Sequence, residues 1–156
     1  VDLKNKPKDL LELNPYAKVP VLVDNGGVIY ESAIVNEYLD EKYPAIRLMP
    51  TDHLERAKVR IWIDFFNSRI HPAAHDITHD KEPEKAKIQM RKHLETLERE
   101  MSGKRFIVGE YSLADVTFIP FYTRRQRYGV TIDESLPALK HWGEDLIARP
   151  AVASTL

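Results

Sequence analysis

At 156 residues, with 43% hydrophobic and 30% charged side chains and a formal net charge of −1, the chain has an ordinary globular composition, enough for one domain or two small ones. The balanced charge leaves no footprint for nucleic acid or an anionic membrane surface. With no cysteine there is no disulfide, thiolate metal site or cysteine nucleophile, which suits a cytoplasmic protein. No apolar run approaches the ~20 residues of a membrane span, and no signal peptide is visible.

Val1–Leu3 reads as the tail of a strand, and a start at Val rather than Met leads us to expect further residues upstream. Lys8–Leu13 predicts a turn of helix that stops at Asn14, because a residue before proline is pushed out of the α region. Two β-branched runs follow, Val19–Val23 and Val28–Tyr30, around Asp24-Asn25-Gly26-Gly27. Asn-Gly between apolar runs is the strongest short-range hairpin signal, since both central residues of a type I′ turn need φ > 0. Pro20 opens the first run, where a missing N–H is tolerated. Ser32–Lys42 predicts a helix with Ile34, Val35, Tyr38 and Leu39 on its inner face, ended by Tyr43-Pro44. The hairpin therefore feeds into a helix N-terminus, whose free N–H groups suit an anion.

Ala45–Thr51 reads as a linker, and only helical periods follow it. Asp52–Ile70 predicts a helix with an inward stripe of Leu54, Ala57, Ile61 and Phe65, thickened by Trp62 and Phe66, and interrupted at His71-Pro72. Glu82–Met101 is the cleanest amphipathic helix, with Met90, Leu94, Leu97 and Met101 spaced four, three and four, and Ser102-Gly103 stops it. After the apolar run Phe106–Tyr111, Ser112 and Asp115 form a capping box ahead of a buried segment, Val116–Tyr122, that contains Pro120. Tyr111 and Val116 are placed for a hydrophobic staple. Ser135–Arg149 is the last helix, with Leu139, Trp142 and Leu146 inward, and Pro150 ends it. These elements divide the chain into a small α/β piece, residues 1–44, and an all-helical piece, residues 51–156. The first is too short to cover both faces of a sheet by itself, so a further strand and helix are expected before it.

Three histidines, His71, His75 and His79, would share a face on an unbroken helix and could hold Zn²⁺ or Ni²⁺. Pro72 predicts that this geometry is broken, so no metal is expected. Arg124-Arg125-Gln126-Arg127 reads as a solvated helix end rather than a nucleic-acid patch.

The string Asn14-Pro15-Tyr16-Ala17-Lys18-Val19-Pro20, the Asn25-Gly26 turn, Glu31-Ser32 with its helix, and Ser112-Leu113-Ala114-Asp115 together resemble the cytosolic glutathione transferase family over nearly the whole chain. The resemblance implies the glutathione transferase fold: a thioredoxin-like α/β N-terminal domain, here the hairpin plus helix, followed by an all-α helical bundle. It implies a cis bond before Pro20, which turns the backbone of Val19 toward the cysteinyl part of glutathione. It also implies γ-glutamyl contacts at Glu31 and Ser32, and a glycyl contact at Lys18. The thiolate of glutathione, as co-substrate, would be transferred to an electrophilic small molecule. Trp62, Phe65 and Phe66 are candidates for the electrophile's pocket, and a homodimer is implied. The residue that activates the thiol lies in the family near the end of the first strand, so no catalytic residue is assigned. Lys4-Asn5-Lys6-Pro7 with Asp9-Leu10, and Leu48-Met49-Pro50, also resemble stringent starvation protein A, a non-catalytic RNA polymerase-binding protein on the same fold. The Pro-His-Pro motif of that protein is replaced here by Pro44-Ala45-Ile46.

Overall fold

The computed structural model describes residues 5–155, and these fall into two compact units that meet in the chain between Arg47 and Leu48. The strand tail expected at Val1–Leu3 lies outside the described residues.

In the first unit, α1 (Lys8–Leu13) precedes β1 (Val21–Asp24) and β2 (Gly27–Tyr30), which pair antiparallel from Val21↔Tyr30 to Asp24↔Gly27. Asn25 and Gly26 make the two-residue turn at φ 48° and 80°, as the Asn-Gly signal requires. The helix α2 (Ser32–Lys42) follows at once. Its far end is tied back to the hairpin, where the Tyr38 hydroxyl and the Lys42 ammonium both donate to Asp24 Oδ2. The Lys42 and Tyr38 bonds hold the Asp24 carboxyl below its ordinary range. The inner face of α2 differs from the expected one. Val35 and Asp40 are buried, whereas Ile34 and Leu39 are exposed.

Among the described residues every regular element of the second unit is helical, with only isolated bridges, Phe106 to Gly109 and Val108 to Glu110, besides. The Asp52 carboxylate caps α3 (His53–Phe65), accepting from the N–H groups of Leu54 and Glu55 at 2.9 Å each. Here the structure corrects two expectations. The helical path does not end at His71-Pro72. It runs through a π-helical turn, Phe66–Ile70, into α4 (His71–Thr78), with the His71 N–H bonding to Phe66 O. A proline inside an α-helix loses a hydrogen bond and presses on the carbonyl four residues back. A turn bonded i→i+5 just before Pro72 absorbs both effects. The buried face of α3 is Val59 and Ile63, not the expected stripe, for Leu54 is 64% and Ile61 62% exposed.

Next come α5 (Pro83–Met101), α6 (Leu113–Arg124), α7 (Pro137–Ile147) and the short α8 (Pro150–Ala153), so the chain resumes a helical turn after Pro150. The core gathers Met90, Leu94, Leu97 and Met101 from α5 with Phe118, Leu139, Trp142 and Leu146. The N-terminus of α7 has no cap of its own. The carboxylate of Glu98, on α5, supplies one, taking the N–H groups of Ala138 and Leu139 at 3.0 and 2.9 Å. At α6 the capping box forms as expected, and it is more connected than the sequence indicates. Asp115 Oδ2 accepts from the Ser112 N–H at 2.9 Å, while Oδ1 accepts from the Ile107 N–H at 3.1 Å and the Trp142 indole N–H at 2.8 Å.

Candidate functional site

The segment Asn14–Ser32 holds the residues that the sequence singles out for binding. It begins with a closed turn. The Asn14 side chain is 1% exposed. Its Oδ1 accepts the Tyr16 N–H at 2.9 Å, and its Nδ2 donates to the Lys18 carbonyl at 2.8 Å. The Ala17 N–H bonds to the Asn14 carbonyl at 2.8 Å, with Ala17 at φ 52°. Asparagine followed by proline is well suited to this turn, because the carboxamide mimics a backbone turn and proline presets the next φ. Lys18, Val19 and Pro20 emerge from it exposed, with Val19–Pro20 cis.

The other end of the segment is the start of α2. Glu31 occupies the position before the helix at φ 70°, a left-handed value that costs a non-glycine residue of order 1–3 kcal/mol. No side chain caps this helix, and both Glu31 and Ser32 are exposed. An open helix N-terminus beside a serine hydroxyl presents N–H and O–H donors and the positive end of the helix dipole, the donor set that a carboxylate needs. Glu31 adds a negative charge of the sign that an ammonium needs. The sequence marks Asn14 as a helix stop and as the start of the family-like string, without a role for its side chain. Its buried, doubly bonded carboxamide depends on contacts that a one-dimensional pattern does not carry.

In the helical unit the three aromatic candidates do not stay together. Trp62 and Phe65 meet edge-on at 5.0 Å, and Phe65 meets His93 of α5 at 5.8 Å. Phe66 instead stands against Phe118 at 4.9 Å, and Phe118 is fully buried against Trp142 at 5.9 Å. A cleft of about 290 Å³ lies between α4 and α5, with Arg69, Lys85, Gln89 and His93 among its lining residues. Burial, reinforced by the Arg69 charge, pushes the His93 pKa down from 6.5. His75 and His79 stack at 4.0 Å, and the Nδ1 of His79 bonds to the His75 carbonyl at 2.8 Å. Among the described residues no group of three or more His, Cys, Asp or Glu is placed to hold a metal ion, and no helix is long and apolar enough to cross a membrane.

A hairpin with an exposed cis-proline at its entry, running into an uncapped helix and followed along the chain by a helical unit, has the element order of a thioredoxin-like N-terminal domain with an all-α C-terminal domain. The glutathione S-transferase N-terminal domain family matches residues 1–42, and its C-terminal domain family matches residues 63–150. Glutathione S-transferase U25 of Arabidopsis thaliana is 36% identical, over 99% of this chain and 74% of its own length. Glutathione S-transferase U19 of the same plant is 33% identical, over 99% of this chain and 75% of its own length. Among solved structures, rice GST1 in complex with glutathione superposes with a TM-score of 0.88 at 27% identity, covering 99% of this chain and 76% of that one. A bacterial transferase, BphK, shares the fold at a TM-score of 0.91 and 23% identity, covering 99% of this chain and 82% of its own. The chain belongs to the glutathione S-transferase family.

Proposed function

We propose that this protein is a glutathione transferase that holds glutathione along Asn14–Ser32 and delivers its thiolate to an electrophilic small molecule. The observation that carries the reading is the open N-terminus of α2, uncapped, exposed and preceded by a strained Glu31. The γ-glutamyl carboxylate docks on Ser32 and the first-turn N–H groups, and Glu31 supports the ammonium. The cysteinyl backbone pairs with Val19 beside Pro20, and Lys18 reaches the glycyl carboxylate. A free thiol has a pKa of ~8.5, so only a few per cent is thiolate at pH 7. Lowering that value by about two units requires roughly 2.7 kcal/mol of preferential thiolate stabilisation. The thiolate then attacks an electrophilic carbon. A C–S bond forms, and the leaving group departs with its electron pair. Trp62 and Phe65 offer apolar surface for the electrophile, whereas the half-buried Phe66 packs against the core residue Phe118. The cysteine-free sequence suits the reducing cytoplasm.

The assay is conjugation of glutathione to 1-chloro-2,4-dinitrobenzene by the full-length protein, followed by thioether absorbance. Saturable turnover in both substrates is expected. A rate no greater than the uncatalysed one, together with no retention on glutathione resin, contradicts the reading.

The exposed stripe on α3 supports a homodimer. Leu54 and Ile61 stand seven residues apart on one face, 64% and 62% exposed, with exposed Ala57 between them. Two helical turns of uncovered aliphatic surface are what a second copy would bury. Light scattering is expected to give a dimer mass for the wild type and a monomer mass for Ile61→Asp. Equal masses for the two proteins would rule this face out.

A further inference from the structure

We propose that Asn14 is the positioning residue of the glutathione site, holding the Lys18–Val19 peptide so that Val19 presents its N–H to the ligand. The inference rests on the transferase reading of the same site and adds the group that sets its geometry.

The carboxamide of Asn14 is both donor and acceptor. Nδ2 takes the Lys18 carbonyl at 2.8 Å and Oδ1 takes the Tyr16 N–H at 2.9 Å, from a side chain only 1% exposed. No other side chain of this length offers one donor and one acceptor on a single planar head. Aspartate brings two acceptors, and leucine brings neither. In a trans peptide the carbonyl and the next N–H point in opposite directions. Holding the Lys18 carbonyl inward on Asn14 therefore aims the Val19 N–H outward. Val19 is 45% exposed, and among the described residues its N–H has no partner. A free backbone donor is thus held from behind before any ligand arrives, which lowers the ordering cost that binding must offset. Ala17 takes φ 52° without being glycine, and the Asn14 side-chain bonds hold the turn together with the bond from the Ala17 N–H to the Asn14 carbonyl.

The test is Asn14→Asp in the full-length protein, nearly isosteric but with a carboxylate oxygen facing the Lys18 carbonyl. The KM for glutathione is expected to rise at least about tenfold, while the KM for 1-chloro-2,4-dinitrobenzene stays within about twofold. Calorimetric affinity for glutathione should fall in step with the KM. A general loss of structure would instead move both KM values together. Should the variant not fold, amide exchange on the wild type decides. The Tyr16 and Ala17 amides are expected to be protected without ligand, and the Val19 amide only after glutathione is added. Unchanged glutathione KM in Asn14→Asp, or a Val19 amide indifferent to glutathione, overturns the inference while leaving the transferase reading intact. A wild type that binds no glutathione overturns the reading, and the inference with it.

Discussion

The N-termini of α2 and α6 begin with the same chemistry and end differently. Each has a serine at its start and an acidic residue close by. At α6, Ser112 and Asp115 are buried, and the carboxylate collects N–H groups from Ser112, Ile107 and Trp142. At α2, Ser32 and Glu31 are exposed, no side chain caps the helix, and Glu31 sits at φ 70°. The first end has met its hydrogen-bonding needs inside the protein. The second leaves them unmet at the surface and carries backbone strain besides. A helix start is structural when its donors are used up internally, and a candidate site when they are held open.

The largest expected effect is at the closed end. Asp115→Ala should destabilise the protein by about 3–5 kcal/mol, because it strands buried N–H groups on Ile107, Ser112 and Trp142. Urea unfolding measures this, and a loss below about 1 kcal/mol would mean that the network is replaceable. Asp115 also sets a pH dependence. Burial pushes its carboxyl up from 3.8, against the pull of its hydrogen bonds from Ile107, Trp142 and Ser112. The folded state therefore holds the proton more tightly than the unfolded chain. Stability is greater below 3.8 and declines as pH rises through the folded value. Asp115→Asn has no such titration. Relative to it, the wild type should lose ground with rising pH across the acid range. A stability difference flat in pH would refute the raised value.

A smaller change sharpens the open end. Glu31→Gly removes the left-handed strain, worth of order 1 kcal/mol after the added freedom of the unfolded chain is counted. It also removes the carboxylate. The expected outcome is a protein at least as stable to heat as the wild type, with weaker glutathione binding. Lower stability with unchanged binding would place Glu31 with the structural residues.

Features that depend on neighbours a few residues apart were legible in the sequence. The Asn25-Gly26 turn, the limits of α2 and the pairing of Ser112 with Asp115 all follow from local hydrogen bonding and φ preferences. The face of α3 was not. Aromatic and aliphatic residues surround that helix, so its periodicity supports more than one inward stripe. The π-helical turn at Phe66–Ile70 then shifts the phase of everything beyond it. Ahead of that turn, on α3 itself, Leu54 and Ile61 lie outside while Val59 and Ile63 face the core, and Ile70 is buried at the end of the turn. At the candidate site, Lys18, Val19, Pro20, Glu31 and Ser32 are implied by the family resemblance, and only the helix N-terminus at Ser32 follows from the local pattern. The strain at Glu31 and the two hydrogen bonds of the Asn14 side chain could not be read there, since both are set by how the turn and hairpin close in three dimensions.

Calorimetric titration of glutathione into wild type, Ser32→Ala and Ser112→Ala tests the contrast between the two helix ends most directly. Ser32→Ala should bind at least about tenfold more weakly with little change in stability. Ser112→Ala should lose about 1 kcal/mol of stability and bind as the wild type does. Equal affinities for wild type and Ser32→Ala, or no heat from the wild type at millimolar glutathione, would contradict the assignment of the α2 N-terminus as the glutathione site.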